Sequence, residues 1–291
     1  MSQFLQVVIL GVLLGGVYAL MASGLTLLFG VMRVVNIAHA AFIVLGAFFT
    51  FFLWESIGLD PLLGMLVALP VFFVFGALLY RILFPRLEGS PRFSEMTVLL
   101  TFGLAFMAEG LMAYFFTGIF RQTAPSYQVD AFRFGSFFVP AAQFYALLGS
   151  MVLLVALWAF INFTHTGYGI RATMQNRTAA QIVGVDVRRV SIISFGVGMA
   201  LAGAAGALVS FLFPFFPARH WQWIAILLSL IVLGGLGSLK GAVVGALTLA
   251  VVSSLVSQYT SPVWSPMVFY GALFLILLVR PQGLFGKQGR I

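Results

Sequence analysis

Apolar runs long enough to cross a lipid bilayer follow one another along almost the whole chain, at about residues 4–29, 38–54, 61–84, 96–117, 139–163, 190–213, 222–238, 242–260 and 264–280. A spanning helix needs about 20 predominantly apolar residues, and within the hydrocarbon layer its backbone N–H and C=O groups must satisfy one another. The runs therefore predict an all-α fold, a polytopic bundle of eight or nine transmembrane helices forming a single domain over residues 1–291. Turn residues punctuate the gaps: Gly58-Leu59-Asp60-Pro61, Pro85 and Pro91, Pro125, Pro214 and Pro217, Pro262 and Pro266, then Pro281. Only 8% of the residues are charged, against about a quarter in soluble domains. Water is not this chain's main solvent.

Short cytoplasmic loops collect Lys and Arg, so the basic residues report orientation. With nine spans and a cytoplasmic C-terminus, the inner side holds Arg33, Arg81, Arg86, Arg92, Arg171, Arg177, Arg188, Arg189, Lys240, Arg280, Lys287 and Arg290, leaving Arg121, Arg133 and Arg219 outside. This 12 to 3 split predicts a cytoplasmic C-terminus and an outer N-terminus. If 222–238 and 242–260 form one re-entrant unit, the N-terminal side reverses. The first residues carry no positive charge and no small-residue cleavage site, so they are expected to stay as the first span, unlike a signal peptide.

Several function classes fall away on composition. The net charge of +8 is spread over short loops and is not interleaved with aromatic stacking positions, which argues against nucleic acid. The chain has no Cys, and His39, His165 and His220 are far apart, so neither a disulfide nor a metal cage is expected, and no cofactor is called for. No Ser/His, His/Glu or paired-carboxylate constellation stands at useful spacing, so the chain is not expected to be an enzyme.

Three places carry chemistry. Residues 164–189, THTGYGIRATMQNRTAAQIVGVDVRR, form the longest ordered polar stretch, on the side the charges mark as inner. Asn176 suits a helix N-cap, Arg177 to Val183 has helical spacing, and Gly184 suits the left-handed residue that ends a helix. Its four arginines against Asp186 leave a net +3, matched to lipid headgroups or an acidic protein surface. Glu109 is the one carboxylate well inside a span and should face the bundle interior or a solute path. Asn36 and His39, with Arg33 just before them, form a second polar group that can touch solute or satisfy the backbone of a broken helix. Lys240, after the Gly234–Ser238 turn, reads as a topology anchor. Small residues four apart, Gly11 and Gly15 or Ala200 and Ala204, allow close helix crossings.

The segment Gly169-Ile-Arg-Ala-Thr-Met-Gln-Asn-Arg-Thr-Ala-Ala-Gln-Ile-Val-Gly-Val-Asp-Val resembles the cytoplasmic coupling segment of permeases of branched-chain amino acid type ABC importers. Thr178-Ala179-Ala180 followed by Gly184 is similar to the E-A-A-x-x-x-G pattern of ABC permeases, with Thr in the place of Glu. Gly24 to His39, Leu233-Gly-Gly-Leu-Gly-Ser-Leu-Lys-Gly241 and Val279-Arg-Pro-Gln-Gly-Leu-Phe-Gly286 resemble the family's N-terminal signature, late glycine-rich turn and C-terminal end, although Ala40 replaces the usual glycine after the histidine. The resemblance implies a bacterial inner-membrane importer. A periplasmic binding protein would deliver solute to two permease subunits, the second homologous but not identical, driven by two cytoplasmic ATPase subunits. Arg171, Asn176, Arg177, Thr178, Ala179, Ala180 and Gly184 would couple this chain to an ATPase, and Asn36, His39 and Glu109 are the candidates for the path. Consistent with ATP hydrolysis on another chain, Gly283-Leu-Phe-Gly-Lys-Gln lacks the spacing and hydroxyl of a phosphate-binding loop. Branched-chain or related neutral amino acids are the implied solutes. Amides, urea and small organic acids stay open, as do a passive channel and a secondary transporter on composition alone.

Overall fold

The computed structural model describes residues 2–286. Its helices in chain order are α1 (Ser2–Met32), α2 (His39–Ile57), α3 (Pro61–Leu83), α4 (Phe93–Phe116), α5 (Ala141–Phe163), α6 (His165–Gln175), α7 (Arg177–Ile182), α8 (Val187–Leu212), α9 (His220–Gly234), α10 (Leu239–Tyr259) and α11 (Ser265–Val279). An antiparallel hairpin joins α4 to α5, with β1 (Ala131–Phe134) paired to β2 (Phe137–Pro140) and Phe132 opposite Val139.

Among the described residues, eight helical segments are long and apolar enough to cross a membrane: α1 to α5, α8, α10 and Pro262–Val279, which contains α11. The run at 222–238 instead becomes α9, whose 15 residues reach about 22 Å. Pro214 and Pro217 keep the approach from joining α8 in one continuous helix, and Gly235, at φ +97°, stops α9 at its far end.

The chain nevertheless passes from one end of the bundle to the other through α9. At one end, Phe138 N–H donates to Gln6 Oε1 at 2.8 Å, Tyr127 Oη donates to Asp60 at 3.2 Å, and Arg121 and Phe215 exchange backbone hydrogen bonds. Burial, reinforced by the Asp60 charge, pushes the Tyr127 phenol pKa well up. At the opposite end Gly237 lies against Gly30, and the N–H groups of Leu284 and Phe285 donate to the carbonyls of Leu233 and Gly234 at 2.8 and 3.2 Å. The stretch from Phe215 to Gly237 is thus a ninth pass, made by a short helix and an irregular lead-in. Gln6 and Leu284, near the two described ends of the chain, lie at opposite ends of the bundle. Arg33, Arg81, Arg86, Arg92, Arg171, Arg177, Arg188, Arg189, Lys240 and Arg280 gather toward the second end, hereafter the basic end, whereas Arg121 and Arg133 mark the hairpin end. Lys287 and Arg290 lie outside the described residues.

α8 forms the centre, packed by α1, α2 and α3. Its small residues let backbones meet: a Cβ on Gly206 would strike the Ile43 carbonyl of α2, and one on Gly46 would come within 2.6 Å of the Gly203 carbonyl. Such approach supplies the dispersion contact that holds helices together in lipid, where hydrophobic exclusion is lost. Gly11 and Gly15 do the same for α1 against α10.

Candidate functional site

Between α5 and α8, at the basic end, the chain builds a rigid knob from two short helices. Thr164 caps α6, its hydroxyl accepting the Gly167 N–H at 3.0 Å. Asn176 breaks the helix with extended backbone and caps the next, its Oδ1 accepting the Ala179 N–H at 3.1 Å. α7 closes with Gly184 at φ +88°, where the Gly184 N–H donates to Gln181 O and the Val185 N–H to Ala180 O, the bond pair of a Schellman motif. Ala180 turns inward and is buried, while Thr178, Ala179, Gln181 and Gly184 face out. Ile182 and Val183 stand 82% and 76% exposed at the tip. Two neighbouring exposed aliphatic side chains on a fixed turn are suited to a partner's cleft.

The knob is also wired to the bundle. Arg177 pairs with Glu88 at 3.6 Å, and Glu88 Oε1 accepts the Tyr80 hydroxyl at 2.8 Å. Tyr80 stacks on Phe84 with ring centres 5.0 Å apart, and both meet Phe195 of α8. The ion pair is about one-third exposed, so it contributes at most about 1 kcal/mol and serves mainly as geometry. Arg171 donates to Asn162 Oδ1 at 3.0 Å and lies 4.8 Å from the Tyr168 ring centre. All seven residues singled out in this segment therefore sit on one α6–α7 unit. Sequence reasoning missed α6 as a helix, because Gly167 and Gly169 lower helix propensity. It also missed Tyr80 and Glu88, which are distant in the chain and carry no motif.

The polar groups of the membrane region fall in two places. His39 opens α2 fully buried, with Nε2 3.2 Å from the Met21 carbonyl, packed against Gly24 of α1 and near the Gly198 carbonyl of α8. Asn36 is 4% exposed in the short break before α2, and among the described residues neither end of its amide has a hydrogen-bond partner. Arg33, at φ +56°, makes the turn that starts this break. Thr101 Oγ1 of α4 accepts the Ile37 N–H at 3.3 Å, tying the break to α4.

Glu109 lies eight residues further along α4, about 12 Å toward the hairpin end. Its Oε2 accepts from His220 Nε2 at 3.0 Å and from Trp221 Nε1 at 2.9 Å. Both donors stand at the start of α9, so the carboxylate marks where the irregular lead-in gives way to helix. The Glu109 side chain is 25% exposed, whereas that of His220 is fully buried. Among the described residues no Lys or Arg comes within ion-pair distance of Glu109. The three path candidates are thus not one site. His220 and Trp221 were not recognisable as partners of Glu109, since 111 and 112 residues separate them.

Comparison with known proteins places this architecture. LivH of Salmonella typhimurium, a high-affinity branched-chain amino acid transport system permease protein, is 27% identical over 98% of this chain and 96% of its own length. BraD of Pseudomonas aeruginosa, of the same description, is 25% identical over 98% and 96%. LivM of Escherichia coli, also a permease protein of such a system, is 28% identical over 57% of this chain and 40% of its own length. A chain of PsaBC from Streptococcus pneumoniae aligns over 96% of this chain at 14% identity with a TM-score of 0.48, too low to establish a shared fold. The family model for the permease component of branched-chain amino acid transport systems matches residues 7–278. Read with the eight helices long and apolar enough to span among the described residues, that match shows that the chain belongs to this permease family and is a multi-pass membrane transport subunit, not an enzyme.

Proposed function

We propose that the chain is one of two permease subunits of an ATP-driven importer for branched-chain or related neutral amino acids. It would reside in a bacterial inner membrane with its basic end in the cytoplasm. The α6–α7 knob carries this reading. A capped, rigid, partly apolar projection at the basic end is what an external ATPase needs as a handle, and a passive channel has no use for one. Two ATPase subunits close on ATP and carry the knob with them. The Arg177–Glu88–Tyr80 link passes that displacement to α3 and α8. Only contacts that differ between the open and closed ATPase shift the permease between its two arrangements. LivM-like similarity supports a homologous, non-identical second permease chain, and a binding protein would deliver solute at the hairpin end. Of the path candidates, Glu109 is assigned to the path, and Asn36 and His39 to the joint between α1 and α2.

The test is reconstitution of the chain with a second permease, ATPases and binding protein in proteoliposomes. Leucine uptake should require ATP and the binding protein. Ala180→Trp and Gly184→Val should insert and assemble yet abolish uptake, the first by overfilling a buried position, the second by straining a left-handed residue. Uptake by the chain alone without ATP would overturn the importer reading, and normal uptake by both variants would remove the knob from it.

A further inference from the structure

We propose that Glu109, with the rings of Trp221, Phe102 and Phe106, is a binding site for the primary ammonium group of the solute, opening on the flank of α4. The inference rests on reading the chain as a solute importer and deepens it by naming what the path recognises.

Glu109 is seven residues short of the hairpin end of α4, about 10 Å along the helix axis. An ionised carboxylate at such depth is costly unless it is paired or wetted. The protein supplies two N–H donors, both to Oε2, and no Lys or Arg partner among the described residues. Among the described residues no hydrogen bond reaches Oε1. His220 and Trp221 thus orient the group and hold it in place, while Oε1 stays available to a cation.

The surroundings select the cation. The Trp221 ring lies 5.0 Å from that of Phe106 and 5.5 Å from that of Phe102, and the two Phe rings meet edge to face at 4.9 Å. Phe102 and Phe106 are 40% and 52% exposed, and Gly103 and Gly110 on the same helix have open space where a Cβ would stand. Aromatic faces beside a carboxylate attract an organic ammonium through both the ring quadrupole and direct charge. A hard metal ion would want several oxygen ligands, and no group of three or more His, Cys, Asp or Glu is found among the described residues. An organic anion would be repelled by Glu109, and urea or an amide would leave its charge unmet. The site therefore favours amines and zwitterionic amino acids over the other solute classes that the sequence leaves open.

The assembled transporter without binding protein, nucleotide-free and again stalled with vanadate, is titrated with isopentylammonium chloride while tryptophan fluorescence is followed. Sodium isovalerate is the matched anion. The amine should give a saturable change in at least one state and isovalerate none, and Trp221→Phe should remove most of the signal. Glu109→Gln should raise the half-saturating amine concentration by about tenfold or more, and Phe106→Leu should raise it less. Absence of a saturable amine response in both states, an equal response to isovalerate, or unchanged half-saturation in folded Glu109→Gln would each overturn the site. If Glu109→Gln does not fold, unchanged half-saturation in Phe106→Leu decides against it. Amine binding without ATP-driven leucine uptake would leave the site standing and sink the importer reading. Normal uptake without the amine response would do the reverse.

Discussion

His39 is fully buried where α1, α2 and α8 meet, whereas Glu109, on the outer helix α4, keeps a quarter of its side chain exposed on the bundle's flank. Both are polar side chains at membrane depth, and each loses water there at a cost that is larger for a carboxylate than for a neutral ring. At His39 the cost is met by a neutral ring against a carbonyl in a closely packed crossing. At Glu109 it is met by two N–H donors to Oε2, with the side chain still a quarter exposed. The contrast sets a packed joint against the flank where the solute site is proposed. The centre of this bundle is occupied by side chains such as Phe48, Phe195 and Leu20; the Asn36 amide has no partner among the described residues but is buried, whereas the partly exposed carboxylate stands at the edge. A solute path shared with a second permease would run along that edge.

The largest effect should come from the packed side of the contrast. In Gly206→Val the new Cβ falls on the Ile43 carbonyl, and two backbones cannot yield as a side-chain tip can, so overpacking should cost about 3 kcal/mol or more. The expected result is loss of the monodisperse folded species in detergent. Wild-type thermal unfolding by this variant would mean that the α2–α8 crossing is looser than drawn. His39→Ala should come next, opening a void among α1, α2 and α8 at a cost of about 2–4 kcal/mol. Its thermal midpoint should fall, and uptake should fall in step with the folded fraction. Lost uptake at an unchanged midpoint would move His39 from the joint into the path.

Much of this contrast was hidden from the sequence, for reasons that differ by residue. The eight long helices were legible because each is a long apolar run, whether it faces lipid or, like α8, other helices, and turn residues separate them. The cap at Asn176 and the stop at Gly184 were legible because capping is local chemistry, settled within four residues. The run at 222–238 was legible as apolar, but the shortness of α9 and its irregular lead-in were not, since only the chain's path fixes where Pro217 releases it into helix. The Glu109–His220–Trp221 cluster was least legible of all. Its members come from α4 and α9, and the pairing exists only because the lead-in to α9 delivers His220 and Trp221 to the level of Glu109.

Glu109→Gln isolates the flank. The amide keeps the size of the side chain and can still accept from Trp221 and His220, so the thermal midpoint should shift by the equivalent of no more than about 1 kcal/mol. ATP-driven uptake should nevertheless fall about tenfold or more, the counterpart of losing a charge-assisted contact of at least 1.4 kcal/mol. A large loss of stability would show that the carboxylate is a structural brace, and would draw Glu109 back toward the His39 kind.

The smallest effect is the one with the opposite sign. Gly110 follows Glu109 on α4, is exposed, and has nothing within 4 Å of the position a Cβ would take. Replacing a helix-interior glycine by alanine at an open position lowers the backbone entropy of the unfolded chain and should stabilise the isolated subunit by about 0.5–1 kcal/mol. A methyl group in the middle of a packed interface would act the other way. Gly110→Ala should therefore raise the thermal midpoint of the isolated subunit slightly, read by differential scanning fluorimetry beside wild type. A fall would mean that α4 is already covered at this level by the chain itself, and the distinction between a filled centre and an open flank would not hold.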